Sequence, residues 1–212
     1  EGGLFRAGRD IFSLTGSGDY ANFHHGHEWG LMLCAQCITK LFFLPFSVLQ
    51  MGAKLALLQL NSPNIREFWL KKTVQANFIS IGNGSSEAIL KSKFANPKNA
   101  LFDLAKDIIE AFDTEQPSEF LELYHFTNFG ASPDCEIYRL PGPVFIFLNF
   151  VLKHYKQGWY NFVRAYYRIS GAAWQDESES WQRSGKNKSP LAKSEYRNNP
   201  NLIYEKLLAG ES

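Results

Sequence analysis

Cysteine is scarce in this chain. Three occur in 212 residues, at Cys34, Cys37 and Cys135, which excludes a small secreted scaffold held together by disulfides. An intracellular, cytoplasmic protein is the expectation. Net charge is also lacking: 22 Lys and Arg stand against 21 Asp and Glu. No global field therefore draws the chain to nucleic acid or membrane, and any such attraction must come from a local patch. Long apolar runs are absent too. The most apolar segment, Glu28 to Leu60, is broken by Gln36, Lys40, Pro45, Gln50 and Lys54. It never reaches the roughly 18 uninterrupted residues of a membrane span, so no membrane partner is expected. The opening EGGLFRAGRD has no basic start followed by an apolar run, and no signal peptide is read there. With no initiator Met and a helix-like end, LIYEKLLAGES, the chain reads as a portion of a longer polypeptide. Signatures of common chemistry are missing as well. GxSxG and HExxH do not occur, and GSGDYANF lacks the GK[ST] of a phosphate loop. Without them, no enzyme is expected.

Aromatic residues are plentiful. Phe numbers 18, and the aromatic share is 15% within a 45% hydrophobic composition. A packed core is feasible, and part of this load should lie on interfaces or stacking surfaces. The pattern along the chain predicts an α+β fold of mixed helices and short antiparallel hairpins. Trp29 to Leu44 is apolar on most faces and reads as a buried helix stopped at Pro45. VLQMGAKLALLQL suits a hairpin turning at Met51-Gly52. NSPNIREF (61–68) reads as a break, TVQANFISIGNGSS alternates in part, and Gly82-Asn83-Gly84 signals a turn. Asn96 should cap a helix over NPKNALFDLAKDIIEAF, with Pro97 in the first turn. FLELYHFTN and CEIYRL read as a strand pair. A long helix should open at Val144, with Val151, Tyr155, Trp159, Phe162 and Tyr166 on one face and Gly158 weakening its middle. Residues 171–200 are polar and read as a flexible loop or linker after a 1–170 core. Asn201 should cap the start of a further helical segment over 201–212.

The stretch HHGHEWGLMLCAQC brings three of the five histidines beside two of the three cysteines. Cys34 and Cys37 have the spacing at which two thiolates share one metal ion. A zinc site would need two further ligands from His24, His25 and His27. The alternatives are two buried thiols in an apolar helix, a redox pair, or a zinc- or thiol-dependent enzyme using this cluster. A redox pair would want its cysteines at a helix start just after a strand.

Local basic patches form a second candidate. Lys153, Lys156, Arg164 and Arg168 lie along the long helix with Tyr160 and Tyr167 interleaved. Lys186, Lys188 and Lys193 follow in RSGKNKSPLAK. Lys and Arg on phosphates, with aromatics near bases, are the ingredients of nucleic-acid binding. The alternatives are a solvated helix face and a structural scaffold whose aromatics bind other proteins.

Three passages together, GSGDYANFHHGHEWGLMLCAQC, LPFSVLQMGAKLALLQLNS and FLELYHFTNFGASPDCEIYRLPGPVFIFL, carry a family resemblance. The chain resembles the large subunit of type I CRISPR effector (Cascade) complexes, in the Cst-like or Myxococcus-subtype branch. Tyr124, Phe126, Asn128, Glu136, Ile137, Tyr138, Leu140 and Pro141 match a later passage of that family. Relatives can carry two CxxC pairs forming a zinc site, and only one pair is present here. The resemblance implies a non-catalytic subunit that recognises target double-stranded DNA beside the protospacer-adjacent motif. It also implies contacts with crRNA and other Cascade backbone subunits, with cleavage left to a recruited nuclease-helicase. On that reading Asn22, His24, His25 and His27 form a loop touching nucleic acid, and Asn128 donates from a strand end. Lys153, Lys156, Arg164 and Arg168 neutralise phosphates, and Lys186, Lys188 and Lys193 belong to a loop ordered on DNA.

Overall fold

The computed structural model describes residues 3–7, 31–84, 90–112, 120–126, 134–166, 172–175, 180–183, 190–191 and 197–210. The fold is α+β. Its contacts divide the chain into two compact units. One holds Glu1–Leu57, Glu67–Lys91 and Tyr124–Glu136; the other holds Leu58–Arg66, Ser92–Leu123 and Ile137–Ser212.

In the first unit, β1 (Leu4–Ala7) pairs antiparallel with β2 (Leu31–Cys34), in register from Leu4 opposite Cys34 to Ala7 opposite Leu31. Helix α1 (Ala35–Phe43) follows β2 without a break. This corrects the expected buried helix over Trp29 to Leu44. Leu31–Cys34 of that run is strand, and α1 buries none of its residues, with Phe43 60% exposed. The helix gives way to a short 3-10 turn, Leu44–Phe46, because Pro45 removes a backbone donor. The expected hairpin is present as β3 (Leu49–Met51) and β4 (Lys54–Leu60), with Leu49 opposite Ala56. Gly52, at φ +61°, supplies the left-handed residue the tight turn needs. Val48 and Leu55 are buried here, packed by Leu44, Leu57 and Phe126. Strand β5 (Leu90–Lys91) belongs to this unit, whereas β4, β6 (Leu121–Phe126) and β7 (Cys135–Leu140) have residues assigned to each unit; the five-stranded order is β5-β3-β4-β6-β7. Strand β5 runs parallel to β3. Leu121, Leu123 and His125 are the buried positions of β6, alternating as a one-sided strand should.

Residues 63–82 differ from the sequence reading. They form a 20-residue helix, α2 (Pro63–Gly82), where a break and a partly alternating stretch are expected. Pro63 opens it, a position where a missing N–H costs nothing. The buried positions step by four: Ile65, Trp69, Thr73 and Asn77. Two of the four are polar, while Leu70, Phe78, Ile79 and Ile81 are exposed. The apolar residues therefore do not mark the buried face. Thr73 Oγ1 donates to Trp69 O at 3.1 Å. Asn77 Nδ2 donates to Phe46 O at 2.7 Å, and Asn77 Oδ1 accepts from Leu90 N at 2.6 Å.

In the second unit, α3 (Pro97–Ala111) begins where expected. Asn96 Oδ1 accepts from the N–H groups of Lys98 and Asn99 at 3.0 and 3.1 Å, which satisfies two of the donors a helix start leaves open. Leu101, Leu104, Ala105, Ile108 and Ile109 are buried as their spacing predicts. The single long helix expected from Val144 is instead two helices, α4 (Gly142–His154) and α5 (Lys156–Ala165). The break falls at Tyr155, at φ −137° and ψ 32°, not at Gly158. Helix α6 (Leu202–Ala209) is capped by Asn201, as expected. Buried Asn201 also donates from Nδ2 to Val163 O at 2.8 Å, tying α6 to α5. The Phe102 and Tyr204 rings stack at 3.9 Å, joining α6 to α3. Within the polar stretch expected as loop, β8 (Ala172–Gln175), β9 (Ser180–Arg183) and β10 (Pro190–Leu191) make a small sheet with Trp174 opposite Trp181. No helix among the described residues is long and apolar enough to cross a membrane.

Candidate functional site

Cys34 ends β2 and caps α1, with extended torsions of φ −75° and ψ 158°. Cys37 lies three residues on, in the first turn. Cys34 is half-buried and Cys37 exposed, so neither is a thiol sealed in a core. Cys34 closes no full side-chain cap bond. The backbone N–H of Cys37 nevertheless faces its sulfur, as does the Cys37 thiol, and both hold the Cys34 pKa below the ordinary thiol value. Cys37 moves the opposite way, raised chiefly by its hydrogen bond to Cys34. No third His, Cys, Asp or Glu completes a metal-binding group among the described residues. His24, His25 and His27, the proposed partners for zinc, lie outside the described residues, as do Asn22, Asn128, Arg168, Lys186, Lys188 and Lys193.

The aromatic and basic surface lies on α4 and α5. Phe147, Phe150, Tyr155, Phe162 and Tyr166 are all exposed, Tyr155 at 64%. Their rings meet in two groups, the second joined through buried Trp159. Phe150 meets Tyr155 at 6.1 Å, Phe147 meets Trp159 at 5.8 Å, Trp159 meets Phe162 at 6.3 Å, and Phe162 meets Tyr166 at 5.1 Å. Of the expected apolar face, Trp159 is buried, while Tyr155, Phe162 and Tyr166 point out. Lys153 and Lys156 are exposed on the same two helices. Lys156 Nζ donates to Glu110 at 2.8 Å, and that bond raises its pKa. Arg164 is on α5.

Two polar groupings went unnoticed in the sequence because each joins residues far apart along the chain. In the first unit, buried His125 has Glu136 Oε2 at 3.5 Å from Nδ1 and Met51 O at 3.4 Å from Nε2. Lys54 Nζ bonds Asp134 and reaches Glu136 at 3.3 Å. The Asp134 carboxylate holds the Lys54 pKa above its ordinary 10.5. In the second unit, a cavity of about 160 Å³ is lined by Asn99, Asp103, Lys106, Tyr160 and Arg197 among aromatic side chains. Asn99 Nδ2 donates to Arg197 O and Asn199 O at 3.0 and 2.7 Å, whereas its buried Oδ1 has no partner among the described residues.

These groups share one pH consequence. Burial works against the Lys106 ammonium, but Asp103, Tyr160 and Asp107 together raise the pKa above 10.5. Burial raises Tyr160 above 10.0. Lys54, Lys106 and Tyr160 therefore all have folded values above their unfolded ones. Their stabilisation is complete below the unfolded values and is lost as pH rises through the folded ones. Thermal unfolding should fall progressively above about pH 10. Combining Lys106→Met with Tyr160→Phe should flatten that fall, and calorimetry across the alkaline range checks it. An unchanged slope would contradict this assignment.

No family model, curated protein or solved structure matches this chain, so its function rests on the chemistry of these surfaces.

Proposed function

We propose that the chain is a non-catalytic subunit of an RNA-guided DNA-surveillance complex. It binds target double-stranded DNA near the protospacer-adjacent motif and contacts the crRNA and neighbouring Cascade backbone subunits in the cytoplasm. Cleavage falls to a recruited nuclease-helicase. The observation that carries this reading is the set of exposed aromatic rings on α4 and α5, with exposed Lys153 and Lys156 on the same two helices. Contiguous exposed apolar groups mark interaction surfaces. Rings flanked by cations suit nucleic acid in particular, since bases stack on the rings while Lys and Arg meet phosphates. The Lys156–Glu110 pair is exposed on both sides, with 55% and 46% of the side chains accessible, and a phosphate can replace the carboxylate in such a pair.

Purification together with its operon neighbours should bring RNA with the chain, seen as a raised ratio of absorbance at 260 to 280 nm. Replacing Lys153, Lys156 and Arg164 with alanine should weaken target-DNA binding. It should also lower the slope of log affinity against log salt by about 2–3, roughly 0.9 for each lost phosphate contact. An unchanged affinity and slope would remove these residues from the interface. A protein-only complex would favour the scaffold alternative.

A further inference from the structure

We propose that Cys34 and Cys37 form a redox-active dithiol that exchanges with disulfides and closes into an internal Cys34–Cys37 disulfide. The placement comes first. Strand β2 ends on Cys34 and α1 begins at Ala35, so the pair straddles a strand-to-helix junction with Cys37 in the first helical turn. Residues three apart on a helix hold their Cβ atoms roughly 5–6 Å apart, against roughly 3.5–4.5 Å in a disulfide. Cys34 has extended rather than helical torsions, so the separation of a regular helix does not fix this pair.

The surroundings suit exchange. Cys34 stands at the N-cap of α1, the positive end of the helix, where a thiolate is favoured. Exposed Cys37 leaves a path for an incoming disulfide. Buried thiols are inert for want of such a path.

The chemistry balances. The Cys34 thiolate attacks one sulfur of a disulfide RSSR, forming Cys34–S–SR and expelling RS⁻. Cys37 then loses its proton to solvent and attacks the Cys34 sulfur, closing the internal disulfide and expelling the second RS⁻. The protein gives up two electrons and two protons, and the substrate leaves as two thiols.

The test uses the full chain carrying Cys135→Ser, which removes the other free thiol. It is equilibrated anaerobically in buffers of reduced and oxidised glutathione, acid-quenched, alkylated and weighed by mass spectrometry. The peptide containing both cysteines should lose the mass of two hydrogens across a sigmoidal range of glutathione ratios. Cys37→Ser should trap glutathione on Cys34, at least about tenfold faster than Cys34→Ser traps it on Cys37. Two thiols that stay alkylatable throughout would overturn the proposal. So would equal trapping rates, or a stoichiometric zinc ion, found by elemental analysis, that shields both sulfurs. The oxidation of the unsubstituted pair stands as a readout even if a serine variant fails to fold.

Discussion

Replacing Asn77 with alanine is expected to cost about 1–3 kcal/mol, because it leaves two part-buried backbone groups without their partner. Asn77 is 0% exposed. Its amide nitrogen serves Phe46 O, just before β3, and its amide oxygen serves Leu90 N at the start of β5. One side chain thereby ties α2 to the 3-10 turn before β3 and to the first residue of β5. In a chain of this size the unfolding midpoint should fall by roughly 2–4 °C for each kcal/mol lost. Gln75, two residues earlier on the exposed face of α2, is the control: Gln75→Ala should stay within about 0.5 kcal/mol. Asn77→Asp keeps the acceptor for Leu90 N and loses the donor to Phe46 O, so it should also destabilise. Denaturant unfolding of the three variants checks the ordering. An Asn77→Ala loss no larger than that of Gln75→Ala would show that these bonds do not hold β5.

The second large effect concerns binding. Replacing both Phe150 and Phe162 with alanine should reduce affinity for single-stranded nucleic acid by at least about 30-fold, since each base–ring stack is worth about 1–3 kcal/mol. Both rings are about half exposed, so their removal should leave the unfolding midpoint nearly unchanged. The salt slope should also hold, because no charge is removed. That combination separates stacking from phosphate contact. Unchanged affinity in the double variant would take these rings out of a nucleic-acid surface and leave them to a protein partner.

The sequence was most legible where its local signals and the tertiary outcome agree. Asn96-Pro97 and Asn201 mark helix starts on their own, because a side-chain oxygen can satisfy the donors there whatever packs nearby. Met51-Gly52 marks the β3–β4 turn because few residues tolerate a φ near +61°. Helix α2 was opaque for a physical reason: its buried row ends in Thr73 and Asn77, while Phe78, Ile79 and Ile81 face outward. A reading that sends apolar residues inward cannot find such a face.

The candidate site divides along the same line. The sequence by itself determined the α+β class, the Cys34–Cys37 spacing, and the aromatic and basic character of residues 144–166. Only the tertiary structure decided which of those residues are exposed. It ended β2 on Cys34, turning an expected buried helix into a strand-to-helix junction with accessible thiols. It broke the long helix at Tyr155, and it left Tyr155, Phe162 and Tyr166 exposed while Trp159 is buried. It also gathered His125, Glu136, Lys54 and Asp134 from three separate segments. The common reason is that exposure depends on what distant segments cover, and local periodicity carries no information about them.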